Sequence, residues 1–546
     1  MRYHGPVKQS DPLTANHLLF YMPKQRKILH AADLYERQLL IYKPYFKLFL
    51  IIFFTAIVSK GAVIFRAYSI DDYSAISLAD STLIDTLTSQ GRYIAATIIR
   101  VIDAAGVNLN DVYFAAGIFC LLLESVFAIA VLRFVGLASV PSAGLAGGIM
   151  VAHPYLTEVF TFRLLLPLYC FVLLFSTVTL EAITQGLTNW RSRVLALSGA
   201  ILMVFTYQSF LNYFAVVIAV LLIHTQLNAK QKSAEDVTYS TYQWRVVNLV
   251  FISVIAVFLY FVVTITVTHL GLFWMTPRTS LLEMGKIGER FRQSGMLLAQ
   301  IYWKDEPLLQ GWSKTLVSVT LLISSATIFI RILLRGLNKS VNFSATSLAI
   351  LAFIGLIPIS IGLILPFTDW WPVPRVIAHI GAVTSLLFLL AAVQPVGIFR
   401  RTFNVLLLSS QGIIWLVFIL LSNQILADQQ RINEWDKMTA SRIISRLEVQ
   451  PGFEQVRIIH VNGGAWAYPS KFRMIQGDMN VSSFSVDYSK IPLLTEVSGY
   501  KFGTASGDAL DIGKDYCKNK HVWPHPESTA IKGALAIVCL RTNGAP

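Results

Sequence analysis

The chain has 546 residues, of which 55% are hydrophobic and 14% are charged, whereas a soluble domain usually carries about 25% charged residues. With a mean hydropathy of +0.58, this composition excludes an ordinary soluble enzyme and predicts an all-α polytopic membrane protein. The net charge of +14 does not indicate a nucleic-acid partner, because the basic residues cluster between apolar segments, as in positive cytoplasmic loops.

The first segment, residues 1–45, is polar and basic and shows no cleavable signal peptide. Positively charged segments beside a first membrane span are retained on the cytoplasmic side. We therefore expect a cytoplasmic N-terminal segment, followed by a transmembrane domain over residues 46–424.

About eleven apolar segments of this domain are candidates to span a bilayer, which takes about 20 residues per helix. The third is short and the fifth and sixth are tightly joined, so the count could change by one or two. The segments lie near 46–65, 112–134, 138–153, 161–181, 193–208, 209–226, 246–269, 314–334, 344–366, 376–395 and 403–424.

Basic residues set the orientation of these segments. With the N-terminus inside, the cytoplasmic connections receive Arg191 and Arg193, Lys230 and Lys232, Arg331, Arg335 and Lys339, and Arg400 and Arg401. All of them obey the positive-inside rule. The opposite face then receives the loops 66–111, 154–160, 271–313 and 369–375, and also the tail 425–546.

Two adjacent carboxylates, Asp71 and Asp72, follow the first span directly. A glycosyl transferase needs a base to take a proton from its acceptor hydroxyl, and a neighbouring like charge raises a carboxyl pKa toward a useful range. Either residue fits this role, with Asp72 slightly favoured. The equally weighted alternative is that Asp72 caps the following helix.

Further polar residues lie on the same predicted face. Arg92 and Arg375 are placed to bind a phosphate, and Gln208 to bind a sugar or a neighbouring helix. Glu158 and Arg163 lie at the outer end of the fourth span, where charged groups tend to face a cavity or a partner. The alternatives are a solvated Arg92 at a helix start and a Glu158–Arg163 ion pair.

Both long external loops contain an amphipathic helical pattern, typical of helices that lie on a membrane surface. Such helices could hold a lipid-linked substrate, although surface-packed connectors are the simpler alternative. The apolar positions are Ile94, Ile98, Val101 and Ile102 in the first loop, and Met284, Ile287, Phe291 and Trp303 in the second.

The tail 425–546 reads as a small α/β domain, with a helix over 432–447 and buried strands at 457–461 and 534–540. Gly463-Gly464 marks a turn but not a nucleotide fingerprint, because no G-x-G-x-x-G follows. Cys517 and Cys539 both lie in this tail. If the tail is periplasmic, they can form a disulfide.

No motif indicates a cofactor. The chain lacks a Walker A sequence, a metal-binding histidine cluster and a serine-hydrolase elbow. The sequence leaves open whether a divalent metal takes part.

Taken in order, these motifs resemble the O-antigen glucosyl transferase II family, the serotype-converting enzymes of Gram-negative bacteria and their temperate phages. The likeness covers roughly residues 46–424 and is weak in the tail. It is carried by Ile70-Asp71-Asp72, Gln90-Gly91-Arg92, the segment from Pro154 through Glu158 to Arg163, Tyr207-Gln208, and Arg375.

The resemblance implies a GT-C-like fold in the bacterial inner membrane. It implies undecaprenyl-phosphate glucose as donor, lipopolysaccharide O-antigen as acceptor and transfer on the periplasmic face. Asp71 and Asp72 match the family's external acidic motif, and Glu158 and Arg163 its later charged positions. A lipid-sugar transporter or flippase and an O-antigen polymerase remain alternatives.

Overall fold

The computed structural model describes residues 43–77, 80–228, 236–272, 276, 280–303, 308–309, 311–337, 343–393, 400–464 and 479–541. Most of the predicted cytoplasmic segment lies outside these ranges. So do Lys230, Lys232 and Lys339 of the predicted cytoplasmic loops.

The described ranges are mainly helical. Their α-helices are α1 Phe46–Lys60, α2 Ile70–Ser77, α3 Asp80–Ser89, α4 Tyr93–Ala104, α5 Tyr113–Val135, α6 Ala143–Ala152, α7 Pro154–Thr157, α8 Leu166–Thr184, α9 Trp190–Thr206, α10 Leu211–Asn228, α11 Asp236–His269, α12 Ile287–Tyr302, α13 Gly311–Gly336, α14 Phe343–Ile361, α15 Ile380–Val393, α16 Arg400–Glu448, α17 Asp487–Ser498 and α18 Asp508–Lys518.

A helix occupies each of the eleven predicted spans, but only eight helices in the described ranges are long and apolar enough to cross a membrane. The other three are α6, α9 and α15. At 1.5 Å per residue, α6 and α15 reach only about 15 and 21 Å, short of a hydrocarbon core of about 30 Å. Nearly all their residues are buried, so their apolar sequences reflect packing inside the bundle. The count of eleven therefore exceeds what helix length supports.

The last bundle helix, α16, continues without a break across the predicted domain boundary at 424/425. Its 49 residues correspond to about 73 Å. The first half packs in the bundle, and Ala440, Ile443 and Leu447 of the second half enter the core of the C-terminal domain. One helix therefore joins the two parts of the protein.

The C-terminal domain contains a four-stranded sheet in the order β2-β1-β4-β3, with strands β1 Ile458–Asn462, β2 Gly503–Thr504, β3 Thr529–Lys532 and β4 Leu535–Cys539. β1 runs parallel to β2 and β4, and β3 pairs antiparallel with β4. The two predicted strands and the predicted α/β character of this domain are confirmed.

Tyr68 and Tyr73 of the loop 66–111 belong to the same buried core as α16 and the sheet. Asn433 on α16 donates a hydrogen bond of 2.7 Å to the Tyr73 hydroxyl. The acidic pair, which lies between these tyrosines, is therefore held against the C-terminal domain.

Cys517 and Cys539 form a disulfide with Cα atoms 5.4 Å apart. Closing a loop of this length contributes about 3 kcal/mol. In denatured protein without reductant, a thiol reagent should therefore leave both unmodified while labelling the free Cys120 and Cys170, which serve as an internal control. Labelling of Cys517 and Cys539 before reduction would show that the bond does not form.

Candidate active site

The predicted external segments meet at one end of the bundle, where hydrogen bonds link them. The backbone N–H of Leu164 donates to Asp72, and Arg375 is bonded to Glu158. The backbone N–H of Leu282 donates to the Pro366 carbonyl. The segments around 72, 160, 280 and 370 therefore share one end of the protein, as expected if they lie on the same side of the membrane.

Asp72 is the third residue of α2 and is fully buried. Its carboxylate accepts backbone N–H groups from Ser69 at 2.8 Å, Arg163 at 3.1 Å and Leu164 at 2.8 Å. In return, the Ser69 hydroxyl accepts the Asp72 N–H at 3.2 Å. This reciprocal pair is a capping box, so the capping alternative describes Asp72, which also ties α2 to the turn at Arg163.

The pKa and the accessibility of Asp72 point in different directions. Burial raises the pKa of its carboxyl, while hydrogen bonds from Leu164, Ser69 and Arg163 lower it. A raised pKa suits a general base, but both oxygens already accept backbone N–H groups and no part of the side chain is exposed. This lack of access argues against Asp72 as the base, because a base must reach the hydroxyl that it deprotonates.

Asp71, the other member of the pair, faces the C-terminal domain. Its side chain is half-buried, and the hydroxyl of Tyr488 on α17 donates to it at 3.0 Å. Tyr488 is 49% exposed, so this contact lies at a surface that an acceptor can approach. The geometry therefore favours Asp71 as the base, in place of the Asp72 favoured from the sequence.

Glu158 pairs with Arg375 and not with Arg163. The Arg375 guanidinium lies 2.8 Å from the Glu158 carboxylate, which is fully buried, and the Arg375 backbone N–H donates to the same carboxylate. The Arg375 guanidinium also lies over the Phe162 ring, 4.4 Å from its centre. The Glu158–Arg163 pair considered from the sequence is therefore wrong, because the loop at 370–375 brings a closer partner.

Arg163 is 1% exposed. Its guanidinium donates to the carbonyl oxygens of Phe160 at 2.5 Å and Phe65 at 3.1 Å, while its backbone N–H binds Asp72. A side chain so enclosed has no access to a lipid phosphate. We therefore assign Arg163 to holding the turn that positions Asp72 and Glu158.

Arg92 and Arg375 line the same small cavity, together with Tyr207. The Arg92 guanidinium lies over the Tyr207 ring at 4.8 Å. The cavity volume of about 30 Å³ matches roughly one water molecule, so a phosphosugar needs it to widen. Two arginines that lie 283 positions apart in the sequence thus line one cavity.

Gln208 supports the loop that carries Arg92. Its amide donates to the carbonyl oxygens of Gln90 and Gly91, both at 3.3 Å, and to the Tyr260 hydroxyl at 3.2 Å. Gly91 has a φ of +72° and lies against Tyr260, leaving no room for a Cβ atom. Of the two roles considered for Gln208, binding a sugar or binding a neighbouring helix, the structure therefore shows contact with neighbouring protein segments.

Two residues at this end were not identified from the sequence. Tyr488 lies 417 positions from Asp71, and no local pattern marks it. Arg290 is buried on α12 and donates to the carbonyl oxygens of Ile364 and Thr368, both at 3.0 Å. On α12 it shares the buried face with Leu297 and Ile301, and a charged residue among these apolar positions was the available signal. It fastens this helix to the 364–370 segment.

The predicted apolar stripe on α12 is exposed in the structure. Met284, Phe291 and Trp303 are 84%, 74% and 75% exposed. On α4, Val101 of the predicted stripe is 65% exposed, whereas Ile94, Ile98 and Ile102 are half-buried and pack against the apolar core. The stripe on α12 therefore faces outward, as in a surface-lying amphipathic helix, while α4 matches the alternative of a surface-packed connector.

The candidate site shares no residue with the group of side chains in the described ranges that could hold a metal ion. Among the described residues, one group of three metal-type ligands occurs, formed by His521, His525 and Glu527 on the exposed surface of the C-terminal domain. None of the predicted site residues belongs to it.

A family model described as Glucosyl transferase GtrII matches residues 61–392, more than half of the chain. The match contains each of the seven predicted substrate-site residues and stops before the C-terminal domain. Comparisons with curated proteins and with solved structures give no match. By this match and its apolar helices, the chain belongs to the Glucosyl transferase GtrII family and is a membrane glycosyltransferase.

Proposed function

We propose that the protein transfers glucose from undecaprenyl-phosphate glucose to lipopolysaccharide O-antigen at the periplasmic face of the inner membrane, within a GT-C-like fold. The observation that carries the proposal is the arrangement of one accessible carboxylate, Asp71, and two convergent arginines, Arg92 and Arg375, at one end of a membrane bundle. These are the groups that transfer from a lipid phosphate requires.

The reaction proceeds by displacement at the anomeric carbon. Asp71 takes the proton from an acceptor hydroxyl as its oxygen attacks that carbon. The new glycosidic bond forms while the bond from the anomeric carbon to the phosphate oxygen breaks. The electron pair leaves with the lipid phosphate, and Arg92 and Arg375 stabilise the departing charge.

Glu158 fixes the direction of Arg375. A buried carboxylate that accepts two hydrogen bonds from one arginine holds the guanidinium in a defined position, and such preorganised charge is what stabilises a transition state. The family assignment also favours sugar transfer over the transporter and polymerase alternatives, which need no glucosyl transferase site.

We place the N-terminus in the cytoplasm and the C-terminal domain in the periplasm. The charge pattern supports this placement. Arg191 lies near the start of α9, Arg335 near the end of α13 and Arg400 at the start of α16. Each lies at the end of its helix that does not lead into a site segment, as expected for basic residues on the cytoplasmic side. A periplasm-specific reporter fused after residue 546 should be active. Activity of a cytoplasm-specific reporter at that position, with the periplasmic one silent, would invert the proposed topology.

The O-antigen itself tests the function. O-antigen from cells with the gene should carry one additional hexose per modified repeat by mass, identified as glucose by linkage analysis. An Asp71→Asn gene at equal protein level should not restore it. Identical O-antigen with and without the wild-type gene would contradict the proposal.

A further inference from the structure

A second, larger cavity of about 570 Å³ lies in the C-terminal domain. This volume falls in the range of small-molecule sites, about 300–1,000 Å³. The cavity is lined by the carboxyl ends of β1 and β2, by the first turn of α17 and by the first two turns of α18. It lies outside the family match, which ends at residue 392.

The sheet topology makes this edge a ligand site. From β1 the chain passes through α17 to β2, and from β2 through α18 toward β4 on the other side of β1. α17 packs with the core that contains Ile459, and α18 with the core that contains Ile537, on opposite faces of the sheet. Crevices at such a reversal, beyond the carboxyl ends of parallel strands, are where open α/β sheets bind ligands.

The charged residues of the lining leave one net positive charge, because Lys490 and Lys514 face a single carboxylate, that of Asp487. The Lys490 side chain is only 5% exposed, and its ammonium lies 2.5 Å from Asp487, whose own side chain is 97% exposed. Lys514 on α18 also lines the cavity and is exposed. The N-termini of two helices add partial positive charge. The wall therefore suits an anionic group.

His460 supplies an unused polar atom. The residue is 8% exposed, and its Nε2 has no hydrogen-bond partner among the described residues. Burial lowers the pKa of His460, and the charges of Lys514 and Lys490 lower that pKa further. The neutral ring can make one hydrogen bond through Nε2, and a ligand hydroxyl is a suitable partner.

The cavity and the transfer site meet at one helix turn. Asp487 lines the cavity, and the next residue, Tyr488, donates its hydroxyl to Asp71. The cavity thus borders the helix turn that contacts the carboxylate proposed to activate an acceptor hydroxyl.

We propose that this cavity binds a saccharide bearing a carboxylate or phosphate group, and that it thereby holds the acceptor chain for transfer at Asp71. The second part rests on the proposed function. Lys490 and Lys514 bind the anionic group, while the side chains of Asn462, Ser485 and Thr504 offer hydrogen bonds to hydroxyls.

Two charge reversals on one helix form the test of binding. Lys514→Glu places a carboxylate on the cavity wall. Lys518→Glu makes the same change one turn later on α18, at an exposed residue outside the cavity. Saturation-transfer NMR on the full chain in nanodiscs measures binding of glucuronate, glucose 1-phosphate and the neutral methyl glucoside.

We expect glucuronate, glucose 1-phosphate or both to bind the wild type and the Lys518→Glu protein, and Lys514→Glu to weaken that binding at least about tenfold. Which of the two binds identifies the anionic group. Methyl glucoside should bind more weakly than either. Equal binding by the two variants, stronger binding of methyl glucoside, or no binding of either anion to the wild type would overturn the cavity assignment.

Transfer kinetics test the second part. With O-antigen as acceptor, Lys514→Glu should raise the acceptor KM about tenfold or more and leave kcat and donor KM near wild type. An unchanged acceptor KM would show that the cavity does not hold the acceptor. Failure of the proposed function has a different signature, since wild type would then bind the anionic saccharide and transfer no glucose.

Discussion

Replacing Asp71 with asparagine is expected to reduce the rate of glucose transfer by about 10²–10⁴-fold, the usual contribution of a positioned general base. The amide keeps the size of the side chain and can still accept the Tyr488 hydroxyl, so the protein should reach a normal level in the membrane. Initial rates with membranes of matched protein content measure the effect.

Two other aspartates serve as controls for this result. Asp85→Asn changes an exposed carboxylate on α3 and should leave the rate near wild type. Asp72→Asn places an amide against backbone N–H groups, and leaving such a buried group unsatisfied costs about 1–3 kcal/mol. Its main effect should be on thermal stability and protein level. Near-normal turnover of Asp71→Asn, with a large loss per folded molecule in Asp72→Asn, would return the role of base to Asp72.

Arg375→Gln should impair both the fold and the reaction. It leaves the fully buried Glu158 without its charged partner, and breaking a buried ion pair in this way costs about 3–5 kcal/mol. It also removes one of the two arginines proposed to stabilise the departing phosphate. We expect a lower melting temperature in detergent and, per folded molecule, at least about a hundredfold slower transfer.

The double variant Glu158→Gln/Arg375→Gln separates the two effects. Removing both charges avoids the uncompensated carboxylate, so most of the thermal stability should return, while transfer stays slow. Recovery of activity together with stability would show that Arg375 serves only to neutralise Glu158. Arg133, which pairs with Glu181 at 2.7 Å outside the site, offers a matched ion pair whose double neutralisation should leave turnover near wild type.

The bundle was largely predictable because burial in lipid and burial in protein both demand apolar side chains. Helices appear at every predicted span for this reason. The same fact explains why eleven spans were predicted where eight helices of the described ranges have the length and composition to cross a membrane, since α6 and α15 are buried against other helices and hydropathy cannot separate the two environments. The two strands of the tail were predictable because short apolar runs bounded by turns favour buried strands.

The pairing of site residues was less predictable. Sequence order brought Glu158 and Arg163 together, whereas the fold gives Glu158 a partner 217 positions away. The relative roles of Asp71 and Asp72 depend on Ser69, Leu164 and Tyr488, which come from three separate elements. Only tertiary structure decides which carboxylate keeps an accessible oxygen.

The C-terminal cavity was also not predictable from the sequence, because its lining residues come together only in the fold. Gly463-Gly464 indicates only a turn in the sequence, but in the fold this turn follows β1 at the edge where two helices begin. Its chemistry arises from Lys490 and Lys514, which lie on helices from opposite faces of the sheet.

Reconstituted transfer tests the central claim most directly. Purified protein in proteoliposomes is supplied with undecaprenyl-phosphate [¹⁴C]glucose and O-antigen, with the Asp71→Asn protein in parallel. Radioactivity should move to O-antigen with one undecaprenyl phosphate released per glucose, for the wild type only. No transfer by wild-type protein, or equal transfer by the Asp71→Asn protein, would contradict the account.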